Sequence, residues 1–213
     1  MAAPAQETRE HLLAVAERLF AEHGLDAVSM RQINREAGQR NTSSIHYYFG
    51  NREAVIEAVV ERRMSGINQR RLKVLGELEA AGKDRDLREV VAAYIRPLAA
   101  QVHSKGADNA YVRFLAQAYA STQIDIGRLA KGRWDQSINK VVALLRDLLP
   151  ELPEAIFQQR MSRLFRGVVY ALADRERDVV SGSIRADHLS FDDFVEDLIE
   201  TNTAALRAPH RVA

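Results

Sequence analysis

Residues 29–55, SMRQINREAGQRNTSSIHYYFGNREAV, constrain this chain more than any other stretch, because they hold two short helices, a glycine turn and the start of a third helix. Ser29 stands where its hydroxyl caps a helix, and Gln32, three residues on, completes a capping box. Ile33 and Ala37 fall one turn apart on an inward face. Gly38 supplies the left-handed conformation that a C-terminal stop requires. Gln39, Arg40 and Asn41 are left for the turn. In the second helix Ile45, Tyr48 and Phe49 lie at i, i+3 and i+4 and form an apolar seam. The other face carries Thr42, Ser43, Ser44, His46 and Tyr47, then Gly50 ends the helix and the next one opens with Arg52. Hydroxyl, imidazole and phenol tips on a small helix suit phosphates and base edges, and this arrangement is a common way to enter the major groove of DNA. Taken singly, each of these residues is an ordinary cap or a solvated face. What is specific is the order in which cap, turn, seam and polar face arrive. Between residues 27 and 52 four arginines, Arg31, Arg35, Arg40 and Arg52, stand against the single acid Glu36. Such a local excess of positive charge is what phosphate binding needs.

With GLDAVSMRQINREAG and the aromatic run HYYFGNREAV, the N-terminal segment resembles the DNA-binding domain of the TetR family of transcriptional regulators. The resemblance implies that His46 and Tyr47 touch the DNA backbone or bases, that Ser29 caps its helix against a phosphate and that Arg52 holds a phosphate. Tyr48 and Phe49 would mainly be core. The implied DNA-binding set is Ser29, Arg40, Asn41, Thr42, Ser43, Ser44, His46, Tyr47 and Arg52. Two features depart from the usual family pattern. The turn between Gly38 and Ile45 is one residue longer than the commonest form, and Asn34 stands where a small alanine is usual. Asn34 either points outward or hydrogen-bonds across the turn.

Composition permits this reading. The 213 residues are 46% hydrophobic, enough to bury a core of one domain or two. A net charge of +1 argues against a uniformly basic coat, so affinity for DNA must come from localised patches acting together. The lack of cysteine excludes disulfides, thiolate metal sites and cysteine redox sensing, and no cofactor or metal is expected. The start MAAPAQETRE has no basic and apolar leader pattern, and no apolar run approaches the ~18 residues of a membrane span. A soluble cytoplasmic protein is the expectation.

Almost everything else reads as helix, so the expected fold is all-α. A three-helix helix-turn-helix domain over residues 1–52 precedes a larger helical effector-binding and dimerisation domain over residues 53–213. Leu12, Val15, Ala16, Leu19 and Phe20 give one amphipathic helix ending at His23 and Gly24. A long helix runs from Arg52 to about Ala81, with Val55, Val59, Met64, Ile67, Leu75 and Leu78 as its apolar positions. Further helices are expected over residues 87–102, 109–121 and 134–149, the last with Ile138, Val141, Leu145 and Leu148 on one side. Pro150 and Pro153 interrupt the pattern, and a helix resumes near Glu154. The final helix starts at Ser190, with Asp193 as capping partner and Leu189 and Phe194 as a hydrophobic staple.

The apolar stripes of the last two helices, Phe157, Met161, Leu164, Phe165 and Val168 with Phe194, Val195 and Leu198, are wide enough to serve a core, a partner or both. In the family the corresponding pair meets its copy in a four-helix interface. The resemblance therefore implies a homodimer on a palindromic operator, its half-sites separated by turns of roughly 34 Å. It also implies a small-molecule effector among the middle helices, whose binding shifts the reading heads and releases the DNA. Tyr94, His103, Tyr111, Phe114, Gln117 and Trp134 are the candidate lining. Arg96 and Arg113 would favour an anionic effector if they faced inward. The expected function is a ligand-responsive regulator, most simply a repressor, with a helical protein-interaction module lacking sequence-specific DNA binding as the alternative. An enzyme is disfavoured. The six histidines are scattered, no glycine-rich loop follows a strand, and Asp192 and Asp193 sit at a helix start where the dipole accounts for them.

Overall fold

The computed structural model describes residues 3–39, 43–103, 109–122, 124–183 and 189–210, which form ten helices and no strand. The all-α expectation holds. Helix α1 (Ala3–His23) buries Leu12, Ala16, Leu19 and Phe20 and stops at Gly24, whose positive φ of 82° closes the last turn through an N–H bond to the Phe20 carbonyl.

Helices α2 (Met30–Glu36) and α3 (Ser44–Phe49) follow at short range. Ser29 Oγ accepts from the Gln32 N–H at 3.1 Å, the expected cap. At the other end Gly38 N–H reaches the Arg35 carbonyl and Gln39 N–H the Asn34 carbonyl, the paired bonds of a Schellman stop. Ile33 and Ile45 are fully buried, so each short helix is held by one apolar anchor in the head's core. Six or seven residues are too few for a helix to persist alone. The α2 and α3 pair therefore exists because it packs on α1 and on the start of α4.

Helix α4 (Arg52–Ala80) is capped by Asn51, whose side chain accepts from Ala54 N–H at 2.8 Å. Its 29 residues span about 43 Å at 1.5 Å per residue, so one rigid rod leaves the head and crosses the larger bundle. Gly82 terminates it with the same pair of stop bonds, and the break expected at residues 80–86 is present.

The bundle is built from α5 (Leu87–His103), α6 (Tyr111–Ala120), α7 (Ile126–Ala130), α8 (Gln136–Leu148), α9 (Glu154–Ser181) and α10 (Phe191–Arg207). Helix α6 lies at the centre, against α9 on one side and α1 on the other, while α10 packs on α5 and α9. Pro97 interrupts the hydrogen-bond ladder within α5, because it has no N–H for the Ala93 carbonyl and its ring crowds that turn. The five-residue α7 was not anticipated, since IGRLA is shorter than any window in which helical periodicity shows.

Candidate functional site: a reading head and a cavity in the bundle

The head presents one polar surface. Tyr47 projects from α3 with 83% of its surface exposed, its ring edge-on to Tyr48 at 5.2 Å, while Tyr48 and Phe49 are half-buried. Ser43 and His46 are also exposed, as are Ser29, Arg31 and Arg35 around α2. His46 Nδ1 lies 3.0 Å from the Gly50 carbonyl, which can only accept, so the Nδ1 proton is fixed there. Nε2 is then an acceptor in the neutral ring and a donor to phosphate only in the imidazolium. Arg40, Asn41 and Thr42 lie outside the described residues.

Two residues of the head differ in role from the simplest reading. Asn34, 2% exposed, turns inward, and its Oδ1 accepts from the Ile45 N–H at 3.1 Å. Ser43 makes no side-chain cap on α3, so Asn34 caps that helix from the preceding one. The second of the two orientations open in the sequence is the one adopted. Arg52 is largely enclosed, donating through Nη2 to the Leu25 carbonyl and lying 3.5 Å from Asp26 Oδ1. Its guanidinium braces the turn before α2 through Nη2.

Behind the head, α1 meets the bundle at a buried carboxylate. Glu17 is fully enclosed and receives Nε and Nη2 of Arg63 at 3.0 Å each, with Arg62 Nη1 at 3.9 Å. Its Oε1 also accepts from Ala110 N–H at 3.1 Å, just before α6. One acid thus joins α1, α4 and α6, its charge met by a bidentate arginine and a backbone donor.

Within the bundle an open-mouthed cavity of about 580 Å³ is lined by α4 to α9. Tyr94 and Trp134 line it, with Ile67, Leu98, Tyr119 and Phe165 completing much of its apolar wall. Tyr111 and Phe114 are corrected: both are completely buried, stacked on each other at 6.0 Å with Phe114 against Phe20 of α1, and belong to the core behind α6. Gln117 faces a different, shallow cleft beside α9, and the His103 side chain lies outside the described residues. Sequence reasoning missed Arg71, because a lone arginine in a charged long helix reads as solvated face. Burial sets the tyrosine hydroxyls here apart, pushing the pKa of Tyr94 and Tyr119 above the ordinary phenol value, so both remain neutral donors.

Arg96 and Arg113 do not face this cavity. Arg96 pairs with Glu196 at 2.8 Å on the α5 and α10 surface, where Arg88 also holds Glu196 and Glu200. Arg113 is set beside the buried Glu176 at 3.3 Å.

The proposed interface stripe is also redistributed. Phe157, Met161, Leu164, Val168 and Val195 are buried within the chain's own core, so the side chains expected to meet a partner already have one. Phe165 faces the cavity, its ring 4.9 Å from Tyr94. Phe194 and Leu198 remain half-buried at the surface.

A polar reading helix on a three-helix head, joined by a long helix to an all-helical bundle with an internal cavity, defines a helix-turn-helix transcriptional regulator. Comparison with known families agrees at both ends. The model described as "Bacterial regulatory proteins, tetR family" matches residues 12–59, and "Tetracyclin repressor-like, C-terminal domain" matches residues 92–205. The chain belongs to the TetR family of bacterial transcriptional regulators.

Among its relatives is the HTH-type transcriptional repressor NicS of Pseudomonas putida, 33% identical over 88 residues, which are 41% of this chain and 40% of that repressor's length. The HTH-type transcriptional repressor NemR of Escherichia coli is 26% identical over 143 residues, 67% of each chain. The fold is similar to that of NalD, the secondary repressor of the MexAB-OprM multidrug efflux pump in Pseudomonas aeruginosa. That likeness has a TM-score of 0.57 at 18% identity, over 94% of this chain and 96% of NalD. No described helix is long and apolar enough to cross a membrane.

Proposed function

We propose that the protein is an effector-controlled repressor that binds a palindromic operator as a homodimer and leaves it when a small molecule occupies the cavity. The observation that carries this reading is α4, which holds both the cavity wall and the joint to the head. Met64, Ile67 and Arg71 of this helix line the cavity, and Arg62 and Arg63 grip Glu17 of α1. From Arg63 to Arg71 the rise is about 12 Å along one rod. A ligand that shifts the cavity portion of α4 therefore shifts the anchor of α1, and with it the separation of two heads on a two-fold axis. Release follows when the ligand prefers the conformation in which that separation does not match the operator.

On the DNA, Tyr47 and His46 of α3 face the groove, Ser29, Ser43 and Ser44 face phosphates, and Arg40, Asn41 and Thr42 belong to the same contact set. Arg31 and Arg35 add exposed positive charge beside them. The reading head, residues 1–52, and the sensor, residues 53–213, share the continuous α4. The second copy meets the outer faces of α9 and α10.

The test is footprinting of the purified protein on DNA flanking its own gene. A protected palindrome is expected, and Tyr47→Ala should weaken its binding by about 1 to 3 kcal/mol while leaving nonspecific binding nearly unchanged. Absence of any protected palindrome, with binding insensitive to salt, would instead support a protein-interaction module.

A further inference from the structure

The cavity contains one charge that the chain leaves unanswered. Arg71 is 2% exposed, yet its guanidinium is held only by neutral groups. Nη1 donates to Ser137 Oγ at 3.1 Å and Nη2 to the Tyr94 carbonyl at 3.2 Å, while the plane sits 5.0 Å from the Tyr94 ring centroid. Buried Nε has no hydrogen-bond partner, and no carboxylate among the described residues pairs with the group. The buried Glu17, by contrast, receives a bidentate arginine and a backbone N–H. A buried charge without a counter-ion is costly, and a buried donor without an acceptor adds to that cost. Burial accordingly holds the Arg71 pKa below its usual value.

The charges at the mouth do not compensate it. Asp125 and Asp135 each already accept a backbone N–H, from Arg128 at 3.0 Å and Gly132 at 3.1 Å. Exposed Lys131 and Arg166 stand on the same rim and balance those two acids. The interior is left with a single positive charge in a wall of aliphatic and aromatic side chains.

We propose that the cavity takes an amphipathic organic anion, a carboxylate on an apolar, largely aromatic body, whose acid group pairs with Arg71. This assignment rests on the reading of the cavity as the effector site. The carboxylate supplies the missing counter-ion and an acceptor for Nε, and the body lies against Tyr94, Trp134, Phe165 and Leu98. A cavity of about 580 Å³ is large enough for a ligand of drug-like size.

Trp134 is the only tryptophan in the chain and lines the cavity, so its fluorescence reports occupancy directly. The probes are 2-naphthoate, 2-naphthamide and 2-naphthylmethylammonium, three bodies of one shape carrying negative, zero and positive charge. The parent protein is expected to bind the naphthoate at least about tenfold more tightly than the amide, the least that a hydrogen-bonded charge partner contributes. The cation should bind weakest. In Arg71→Gln the naphthoate should fall to the level of the amide, with the amide unchanged.

Equal binding of naphthoate and amide by the parent overturns the proposal, as does a naphthoate affinity untouched by Arg71→Gln. Should that variant fail to fold, the ratio measured on the parent decides. If the amide or the cation binds as well as or better than the naphthoate, the charge assignment falls and the effector cavity stands. If none of the three perturbs Trp134, both fall together.

Discussion

Asn34 links α2 to α3 through one hydrogen bond, and the site is dry enough for that bond to matter. Removing its amide by Asn34→Ala strands the Ile45 N–H in the core of the head, at a cost of about 1 to 3 kcal/mol. A lower urea midpoint is the expected measurement, with Asn34→Asp, which keeps an acceptor at the start of α3, losing less. An alanine variant as stable as the parent would show that water satisfies Ile45 instead. Asn34 was visible in the sequence as a departure from pattern, but its direction was not, because local spacing does not report whether the neighbouring helix comes within reach. Glu176 shows the same limit at a second site. Desolvation pushes its carboxyl up to about 7, only partly opposed by the backbone N–H and guanidinium of Arg113, with the buried Glu17 adding to the rise. Between the ordinary value of 4.5 and about 7 the folded protein keeps a proton that the unfolded chain has released. Stability is therefore greatest at the acid end of this window and declines as pH rises through it, by on the order of 3 kcal/mol. Glu176→Gln retains an acceptor for Arg113 N–H, so urea midpoints measured from pH 5 to 8 should be flatter than the parent's and higher above pH 7. A variant that follows the parent's profile would place the titration elsewhere.

At the scale of elements, α4 is where the head and the bundle become one body. Its extent was legible because Asn51 and Gly82 bracket an uninterrupted helical pattern, whereas its proposed function as a lever depends on partners distant in sequence. Glu17 and Arg63 are 46 positions apart, and nothing in either segment alone points to the other. The cavity was less legible than the helices for the same reason. Tyr94, Tyr111, Phe114 and Trp134 look alike as large residues on helices, and only the crossing of α6 over α1 sends Tyr111 and Phe114 to the core while leaving Tyr94 and Trp134 on the cavity wall. Replacing Glu17 with alanine leaves Arg63 and Ala110 N–H without their acceptor and should cost about 3 to 5 kcal/mol in thermal or urea unfolding. The double replacement Glu17→Leu with Arg63→Met removes both charges and should recover most of that loss. Its operator complex should nevertheless respond weakly to any effector, because the bonds joining α4 and α6 to α1 are gone. A fully responsive double variant would mean that the signal travels by another contact.

For the whole molecule, the proposed operator binding turns on how two chains would pair. The apolar stripe along α9 turned out to serve the monomer, since Phe157, Met161, Leu164 and Val168 point inward. The surface left for a partner is narrower and more polar, with Gly167 and Tyr170 on α9 and half-buried Leu198 on α10. Gly167 separates the proposed interface from the core cleanly. A Cβ built there meets nothing within 4 Å in the chain, and the residue sits inside a helix where glycine is the poorer choice by about 0.5 to 1 kcal/mol. Gly167→Arg should therefore leave the monomer folded and slightly more stable. On an outer face that a second copy approaches closely, the same side chain adds bulk and a charge with no counter-ion. Sedimentation should then show half the parent's mass at equal helical content, and operator affinity should fall on the order of a hundredfold or more as the two heads cease to bind as one unit. Charged residues at Phe165 would not discriminate in this way, because that ring packs on Tyr94 at the cavity and its loss unsettles the bundle itself. A Gly167→Arg protein that still sediments as a dimer and binds its operator as tightly as the parent would move the interface off this face of α9.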